Sequence, residues 1–257
     1  MPGPSAPTLK FAAASRHGAG ATVAETTGAI AAPVDNRPMG DQPGRGALAV
    51  LLDDVAAGWF PPANGEVTFL PPPAPRDAGV IGFTAHAVIF TDADPAWVTA
   101  QLPEGDLSAP LSPAFLQALC ARTNREAHTV DMLCVAPPRP GPPGIALTPE
   151  PDPAHPRIAR ALRHRDDVRA WRADGGVVVL GRGVAARWEA SIEVDPGRRG
   201  GGLGRALAAA ARHLVLDGAP LWAQISPANA ASVRAFLAAG FRPVGAEAHL
   251  TYPGLGA

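Results

Sequence analysis

The chain has 257 residues, with 22 Lys and Arg against 23 Asp and Glu, and a net charge of −1 at pH 7. This balance gives no electrostatic reason to expect nucleic acid or an acidic membrane surface as a partner. No apolar run approaches the roughly 18 to 20 residues that span a bilayer, and the N-terminus lacks the charged and then apolar order of a signal peptide. We therefore expect a cytoplasmic protein with no membrane or nucleic-acid partner.

The two cysteines, Cys120 and Cys134, are predicted to be reduced packing residues, since a disulfide framework would need more cysteines and a secretory context. A reactive nucleophile is the alternative, although no His or Asn signature surrounds either cysteine. No spacing of His, Cys, Asp or Glu matches a metal site, so no metal is expected.

The composition divides the chain along its length. Residues 1–45 are rich in Ala, Gly, Pro, Ser and Thr without periodicity, which predicts a disordered tail. Residues 46–136 read as an N-terminal α+β segment of unknown role, and residues 137–154 as a Pro/Gly-rich linker. The predicted elements of the segment are a helix over 48–57, strands over 67–70, 80–90 and 129–135, and helices that begin at Asp94 and Ser112.

Residues 155–257 alternate between strand and helix patterns. The predicted elements are a helix over 155–165, strands over 168–172 and 177–181 joined by a hairpin turn, a strand over 187–194, a periodic helical segment over 203–216, a strand over 221–226, a helix that Asn229 caps and Gly240 ends, and strand structure over 241–252. This order indicates an α/β protein with a sheet of mixed direction.

The segment Val194–Gly204 (V-D-P-G-R-R-G-G-G-L-G) joins a strand to a helix through a glycine-rich loop. Backbone N–H groups and the positive end of the helix dipole meet there, which favours an anion such as a pyrophosphate. Arginines at 198, 199 and 205 add positive charge. The alternative is a plain glycine-rich turn with solvated arginines. The dinucleotide fingerprint fails because Arg205 stands at its last glycine, and the nucleotide-triphosphate loop fails because no Lys-Ser or Lys-Thr follows Gly204.

The loop does match V-x-P-x-x-R-x-x-G-x-G, and a second motif follows at the right distance: Asn229, Ser232, Phe236 and the pair Gly240-Phe241. Together the two motifs resemble the acyl-coenzyme A site of the GNAT superfamily of N-acetyltransferases, over roughly residues 168–253. The resemblance implies a GNAT-like mixed, largely antiparallel sheet flanked by helices, here with the additional N-terminal α+β segment.

The resemblance also implies acetyl-CoA as cosubstrate and assigns the residues that bind it. Backbone groups of Ile192 and Val194 would bond the pantetheine arm, and Asn229 would bond it too or merely cap its helix. The remaining cofactor-binding residues implied are Arg199, Gly200, Gly201, Gly202, Leu203, Gly204 and Arg205 around the pyrophosphate, with Ser232 and Phe236 beside the arm.

The catalytic residues are less defined, because Phe236 stands where many members carry the tyrosine that protonates the leaving thiolate. Tyr252 is a speculative substitute, with a plain surface-strand residue as the alternative. Glu189 and Glu193 lie on the strand where some relatives carry a catalytic glutamate, but alternation puts them on the face opposite Ile192 and Val194, so solvated or structural roles stay open.

Three histidines are weighed as bases. His249 is a further candidate because an imidazole titrates near neutrality. A lone histidine in a strand is more often a satisfied hydrogen-bond partner, and His86 and His155 are read with the same restraint.

The function expected is an acyl-CoA dependent N-acyltransferase that transfers acetyl from acetyl-CoA to an amine of a small molecule or peptide by direct attack. The alternatives are a non-catalytic acyl-CoA-binding sensor and an interaction protein. Either a monomer or a homodimer is expected.

Overall fold

The computed structural model describes residues 46–215 and 217–254. The predicted disordered tail, residues 1–45, lies outside them. Ten strands of the described chain form one sheet in the order β1-β3-β2-β10-β4-β9-β8-β7-β6-β5. Their bounds are β1 Val67–Leu70, β2 Ala78–Phe83, β3 His86–Phe90, β4 Glu126–Ala136, β5 Thr148–Pro149, β6 Asp166–Ala173, β7 Gly176–Arg182, β8 Trp188–Val194, β9 Leu221–Ile225 and β10 Arg242–Thr251.

Six α-helices of the described residues flank the sheet: α1 Ala47–Ala57, α2 Pro95–Ala100, α3 Pro113–Thr123, α4 Pro156–His164, α5 Leu203–Ala211 and α6 Ala230–Ala238. Capping side chains and prolines mark where several of these helices begin. The Asp94 carboxylate accepts from the N–H of Ala96, and the Ser112 hydroxyl oxygen accepts from the N–H of Phe115. Each of α2, α3 and α4 has proline in its first turn, where the missing N–H costs nothing.

The sheet is largely antiparallel, with parallel pairing between β1 and β3 and between β8 and β9. The alternation of side chains along the strands shows which helices share a face. Leu133 of β4 packs in a cluster with α1, whereas Cys134 packs with α5 and α6. Likewise Val177 of β7 packs against α4, and Val178 against α5. Helices α1 and α4 therefore cover one face, and α3, α5 and α6 the other, as the fold class predicted from the sequence requires.

Strand β4 comes from the N-terminal segment, yet it lies between β9 and β10 of the C-terminal part and pairs antiparallel with both. The residues before and after the Pro/Gly-rich stretch thus share one sheet. The division into an N-terminal segment, a linker and a C-terminal domain refers to order along the chain, and its boundaries stay a prediction.

Two elements differ from the sequence prediction. The strand expected over 80–90 is a hairpin, because the chain turns at Thr84–Ala85 between β2 and β3 with Ala85 at φ 49°. Apolar residues continue on both sides, so nothing in the pattern marks the turn. Helix α5 ends at Ala211 instead of reaching 216, since the next N–H groups, from Arg212 to Leu214, bond to carbonyls three residues back.

No helix among the described residues is long and apolar enough to cross a membrane.

Candidate active site

The parallel strands β8 and β9 diverge and leave a wedge in the sheet. They pair where Trp188 meets Leu221 and Glu189 meets Trp222. Beyond those positions each strand continues paired with its outer neighbour, β8 with β7 and β9 with β4. The inner edges of both strands therefore carry backbone groups that a linear ligand could bond as an added strand.

Alternation identifies which backbone groups of β8 face the wedge. The N–H of Asp195 donates to the carbonyl of Gly175 at 2.9 Å, and the carbonyl of Arg187 accepts from Gly183 at 2.9 Å. Odd-numbered residues of β8 thus bond towards β7, so the backbone groups of Ala190, Ile192 and Val194 point into the wedge. This is the position that the resemblance assigns to the pantetheine-binding backbone. The carbonyl of Val194 already accepts from Arg199 Nε at 3.1 Å, which draws the loop onto the strand end.

The glycine-rich loop lies at the open end of the wedge, between β8 and α5. Gly200 and Gly202 have φ of 81° and 84°, and an added Cβ at either would meet open space. Helix α5 begins at Leu203, and its N-cap residue, Gly202, has no side chain to cap it, so the N–H groups of the first turn are available to a ligand. Beside the loop is a cavity of about 620 Å³ whose basic lining residues are Arg139, Arg198 and Arg205. These features fit a pyrophosphate.

Helix α6 forms another wall of the wedge with the predicted residues Asn229, Ser232 and Phe236. The Asn229 side-chain oxygen accepts from the N–H of Ser232 at 3.1 Å, so it caps α6 while its amide NH₂ can still donate to a ligand. Phe236 is buried and packs edge-on against Phe241, with ring centroids 4.9 Å apart. Its side chain is an apolar part of the cavity wall and has no proton to donate.

A cavity of about 670 Å³ lies at the wedge and is lined by residues from both faces of the sheet. Ile192 and Phe236 line it on the α5 and α6 face, and Ser191 and Gln224 on the α4 face. We call the part under α4 the polar basin. Its polar lining residues are His128, Thr129 and Asp131 of β4, Arg157, Arg160, His164 and Arg165 at α4, Glu189 and Ser191 of β8, Gln224 of β9, and Glu247, His249 and Thr251 of β10.

Glu189 belongs to a chain of buried ion pairs on the floor of the basin. One carboxylate oxygen accepts from Arg165 Nε at 3.0 Å and the other from Arg187 Nε at 2.9 Å. Arg187 also donates to Glu247 at 2.6 Å. Burial acts to raise the pKa of Glu189, but the charges of Arg187 and Arg165 outweigh it and hold that pKa below its usual value. A Cβ at Gly183 would overlap the Glu189 carboxylate, so glycine there makes room for the pair.

The structure does not bring the other two predicted catalytic residues to the same point. Glu193, on the same face of β8, accepts from Arg157 Nε at 3.2 Å and is 35% exposed in its side chain. Tyr252 lies beneath Arg125, whose guanidinium is 4.8 Å from the ring centroid, and is 40% exposed. Tyr252 is outside the residues that line the cavity.

His249 lines the basin and its Nε2 lies 3.1 Å from the carboxylate of Asp77, which is 1% exposed. A buried carboxylate that holds one ring nitrogen fixes the orientation of the imidazole. His86 and His155 instead have local partners. His86 lies within hydrogen-bond distance of Thr68 and Asn64, and His155 caps α4.

Most of the basin residues were not predicted from the sequence, Asp131, His164 and Glu247 among them. Burial, helped by the charges of Arg160, His249, Arg163 and Arg165, lowers the pKa of His164 to about 4. Its Nε2 is buried without a hydrogen-bond partner in the described chain. Alternation on β10 could have placed Glu247 with His249, but no local pattern links either residue to Asp131 or His164.

Both cysteines are free, and burial raises both thiol pKa values, that of Cys134 to about 11. Such thiols are poor nucleophiles, as expected for packing residues. Among the described residues no group of three or more His, Cys, Asp or Glu could hold a metal ion.

Comparison with known proteins gives a partial likeness in structure. No family model and no curated protein matches the chain. A solved GCN5-related N-acetyltransferase from Kribbella flavida is similar over 54% of this chain and 64% of its own, with 17% identity and a TM-score of 0.36. An acetyltransferase of the GNAT family from Novosphingobium aromaticivorans is similar over 50% of this chain and 68% of its own, with 19% identity and a TM-score of 0.34. Less than two thirds of the first of these proteins is matched.

The GNAT-like character of the fold can be read from the chain itself. The strand β8, the glycine-rich loop, helix α5, the strand β9 diverging from β8, and helix α6 follow one another as the two sequence motifs predict. The class of fold is therefore α/β, with a GNAT-like mixed sheet.

Proposed function

We propose that the chain is an acyl-CoA dependent N-acyltransferase that transfers acetyl from acetyl-CoA to an amine of a small molecule or peptide. The observation that carries the proposal is the cavity at the wedge between β8 and β9, which is lined by residues from both faces of the sheet. In this proposal a donor and an acceptor reach one point from opposite faces of the sheet. That arrangement suits direct transfer without a covalent enzyme intermediate.

The donor lies along β8 in this proposal. The loop from Arg199 to Arg205 holds the pyrophosphate, and the wedge-facing N–H groups of Ile192 and Val194 bond the pantetheine arm, with Asn229 on the other side. The thioester carbonyl then points to a backbone N–H at the wedge, which stabilises the oxyanion that forms during attack.

The acceptor amine enters through the polar basin. It must lose a proton before it attacks the carbonyl carbon, and we assign His249, oriented by Asp77, as the base, acting through water because β4 separates its strand from β9. The new C–N bond forms, the C–S bond breaks, and the proton that the nitrogen loses as it becomes an amide passes through water to the thiolate of coenzyme A, since Phe236 has none to give. Glu189 has both oxygens bonded to arginines, so we assign it to holding the floor in place.

A sensor that binds acyl-CoA without turnover is the second candidate, and Phe236 favours it because no proton donor replaces the tyrosine. Titration calorimetry with acetyl-CoA, free CoA and ATP tests both. We expect micromolar binding of acetyl-CoA and weak binding of ATP. Release of free thiol in the presence of an amine panel separates the enzyme from the sensor. Absence of acetyl-CoA binding would contradict both.

The loop assignment is tested by Gly202→Glu, which puts a carboxylate where the pyrophosphate is expected. We expect acetyl-CoA affinity to fall by a factor of about 100 or more through like-charge repulsion. Gly105→Glu is the matched control, because Gly105 also has positive φ, 75°, and open space around its Cβ position. Unchanged binding in a folded Gly202→Glu protein would overturn the assignment.

A further inference from the structure

Two carboxylates face each other across neighbouring strands in the polar basin. Asp131 of β4 is directly opposite Glu247 of β10 in the antiparallel register. Side chains at such positions leave the same face of the sheet, with Cβ atoms about 4.5–5.5 Å apart. Both residues line the cavity. Like charges in this arrangement repel, so the pair is costly unless a cation or a proton lies between them.

One oxygen of each carboxylate lacks a partner. Asp131 Oδ1 and Glu247 Oε1 are buried and make no hydrogen bond within residues 46–215 and 217–254. Glu247 is 1% exposed, so bulk water does not satisfy it. Buried oxygens without donors are unfavourable, and a ligand with several N–H donors on a positive charge would satisfy them.

The neighbouring arginines do not satisfy these two oxygens. Arg187 bonds the other oxygen of Glu247. Arg157, Arg160 and Arg165 also line the cavity, but Asp131 Oδ1 makes no hydrogen bond within the described residues. Burial raises the pKa of Asp131, and a hydrogen bond from Thr129 and the charge of Arg160 lower it by less.

The distance from the wedge decides what the pair can bind. Strand β4 is the neighbour of β9, and β10 lies one strand further. With about 4.8 Å between strands, the backbones of β4 and β10 lie on the order of 5 and 10 Å from β9 in the plane of the sheet. A cation held between these two strands is therefore set apart from the nitrogen that attacks in the wedge, and it suits a second group on the same acceptor.

We propose that the acceptor is a diamine, or another amine with a second cationic group, and that Asp131 and Glu247 hold its non-reacting ammonium while the first nitrogen reaches the wedge. This inference rests on the proposed function for the reacting end of the molecule, but the cation site itself depends on the basin alone.

The test is titration calorimetry of the full chain in the presence of free CoA, which cannot react, with 1,5-diaminopentane and with 1,5-pentanediol. The two probes have the same length, and only the first carries ammonium groups. We expect the diamine to bind about tenfold tighter or more, because an ammonium makes charge-assisted hydrogen bonds with the two carboxylates. Equal affinity for the two probes, or no binding of the diamine, would overturn the proposal.

Asp131→Asn removes the charge, keeps the side-chain shape and leaves the Arg187–Glu247 pair in place. It should lower diamine affinity about tenfold and leave the diol unaffected. Glu126→Gln, an exposed charge loss on the same strand, is the control and should change neither. A variant that weakens both probes equally would contradict the proposal.

The two proposals can fail separately. Diamine binding that depends on Asp131, together with no binding of acetyl-CoA, would leave the cation site and remove the transferase. Acetyl-CoA turnover with no preference for the diamine would support the transferase and remove the cation site.

Discussion

Glu189 and Glu193 lie on the same face of one strand, but their surroundings differ. Glu189 is 3% exposed and holds two arginines, whereas Glu193 forms a single half-exposed pair at the rim. A buried carboxylate between two cations is a part of the framework, because removing it leaves positive charges in a poorly solvated place. The sequence indicates both glutamates as candidate catalytic residues. It cannot distinguish them, because the arginines that bond them are distant or unmarked in the sequence pattern.

We expect Glu189→Gln to reduce the free energy of unfolding by about 3–5 kcal/mol, because Arg165 and Arg187 lose a buried counter-charge. Glu193→Gln, the matched control, should cost about 0–1 kcal/mol. Urea denaturation of the three proteins measures both values. A change below about 1 kcal/mol for Glu189→Gln would show that the network does not stabilise the floor of the basin.

At the scale of elements, much of the C-terminal part could be predicted because its strands and helices carry strong local signals. Strand β7 lies within a residue of its predicted bounds, and Asn229 caps α6 as expected. The glycine-rich loop was also visible, since its residues are contiguous. The turn at Ala85 was missed because a non-glycine residue adopts positive φ there. The polar basin was missed because Asp131 and Glu247 meet through the pairing of distant strands.

The wedge gives a test at this scale. Ile192→Pro removes an N–H that points into the wedge and is not part of the β7 pairing, and we expect acetyl-CoA affinity to fall about tenfold. Ile192→Ala is the control, since it loses side-chain packing but keeps the N–H. Calorimetry on the folded variants measures the difference. Equal losses in the two variants would mean that the backbone group does not bind the donor.

For the molecule as a whole, the position of β4 makes the two halves of the chain dependent on one another. The strand supplies a hydrogen-bonded neighbour to both β9 and β10, and its Cys134 and Ala136 lie in the same core as α5 and α6. The C-terminal sequence resembles an acyl-CoA site, but its sheet includes a strand that the resemblance did not cover.

A fragment of residues 155–257 should therefore fail to unfold cooperatively, because β9 and β10 would lose their pairing with β4. A fragment of residues 46–257 is the control and should show a single transition. Thermal unfolding followed by circular dichroism distinguishes the two. A cooperative transition in the shorter fragment would show that the C-terminal part folds alone.

The position of β4 also determines when the centre of the sheet can fold during synthesis. Val135 of β4 pairs with Arg242, about a hundred residues later in the chain. During synthesis the ribosome releases β4 long before either neighbour exists, so the apolar half of the strand stays exposed with both edges unpaired. The centre of the sheet therefore closes only after β10 has emerged, and until then the nascent chain is open to misassociation at β4.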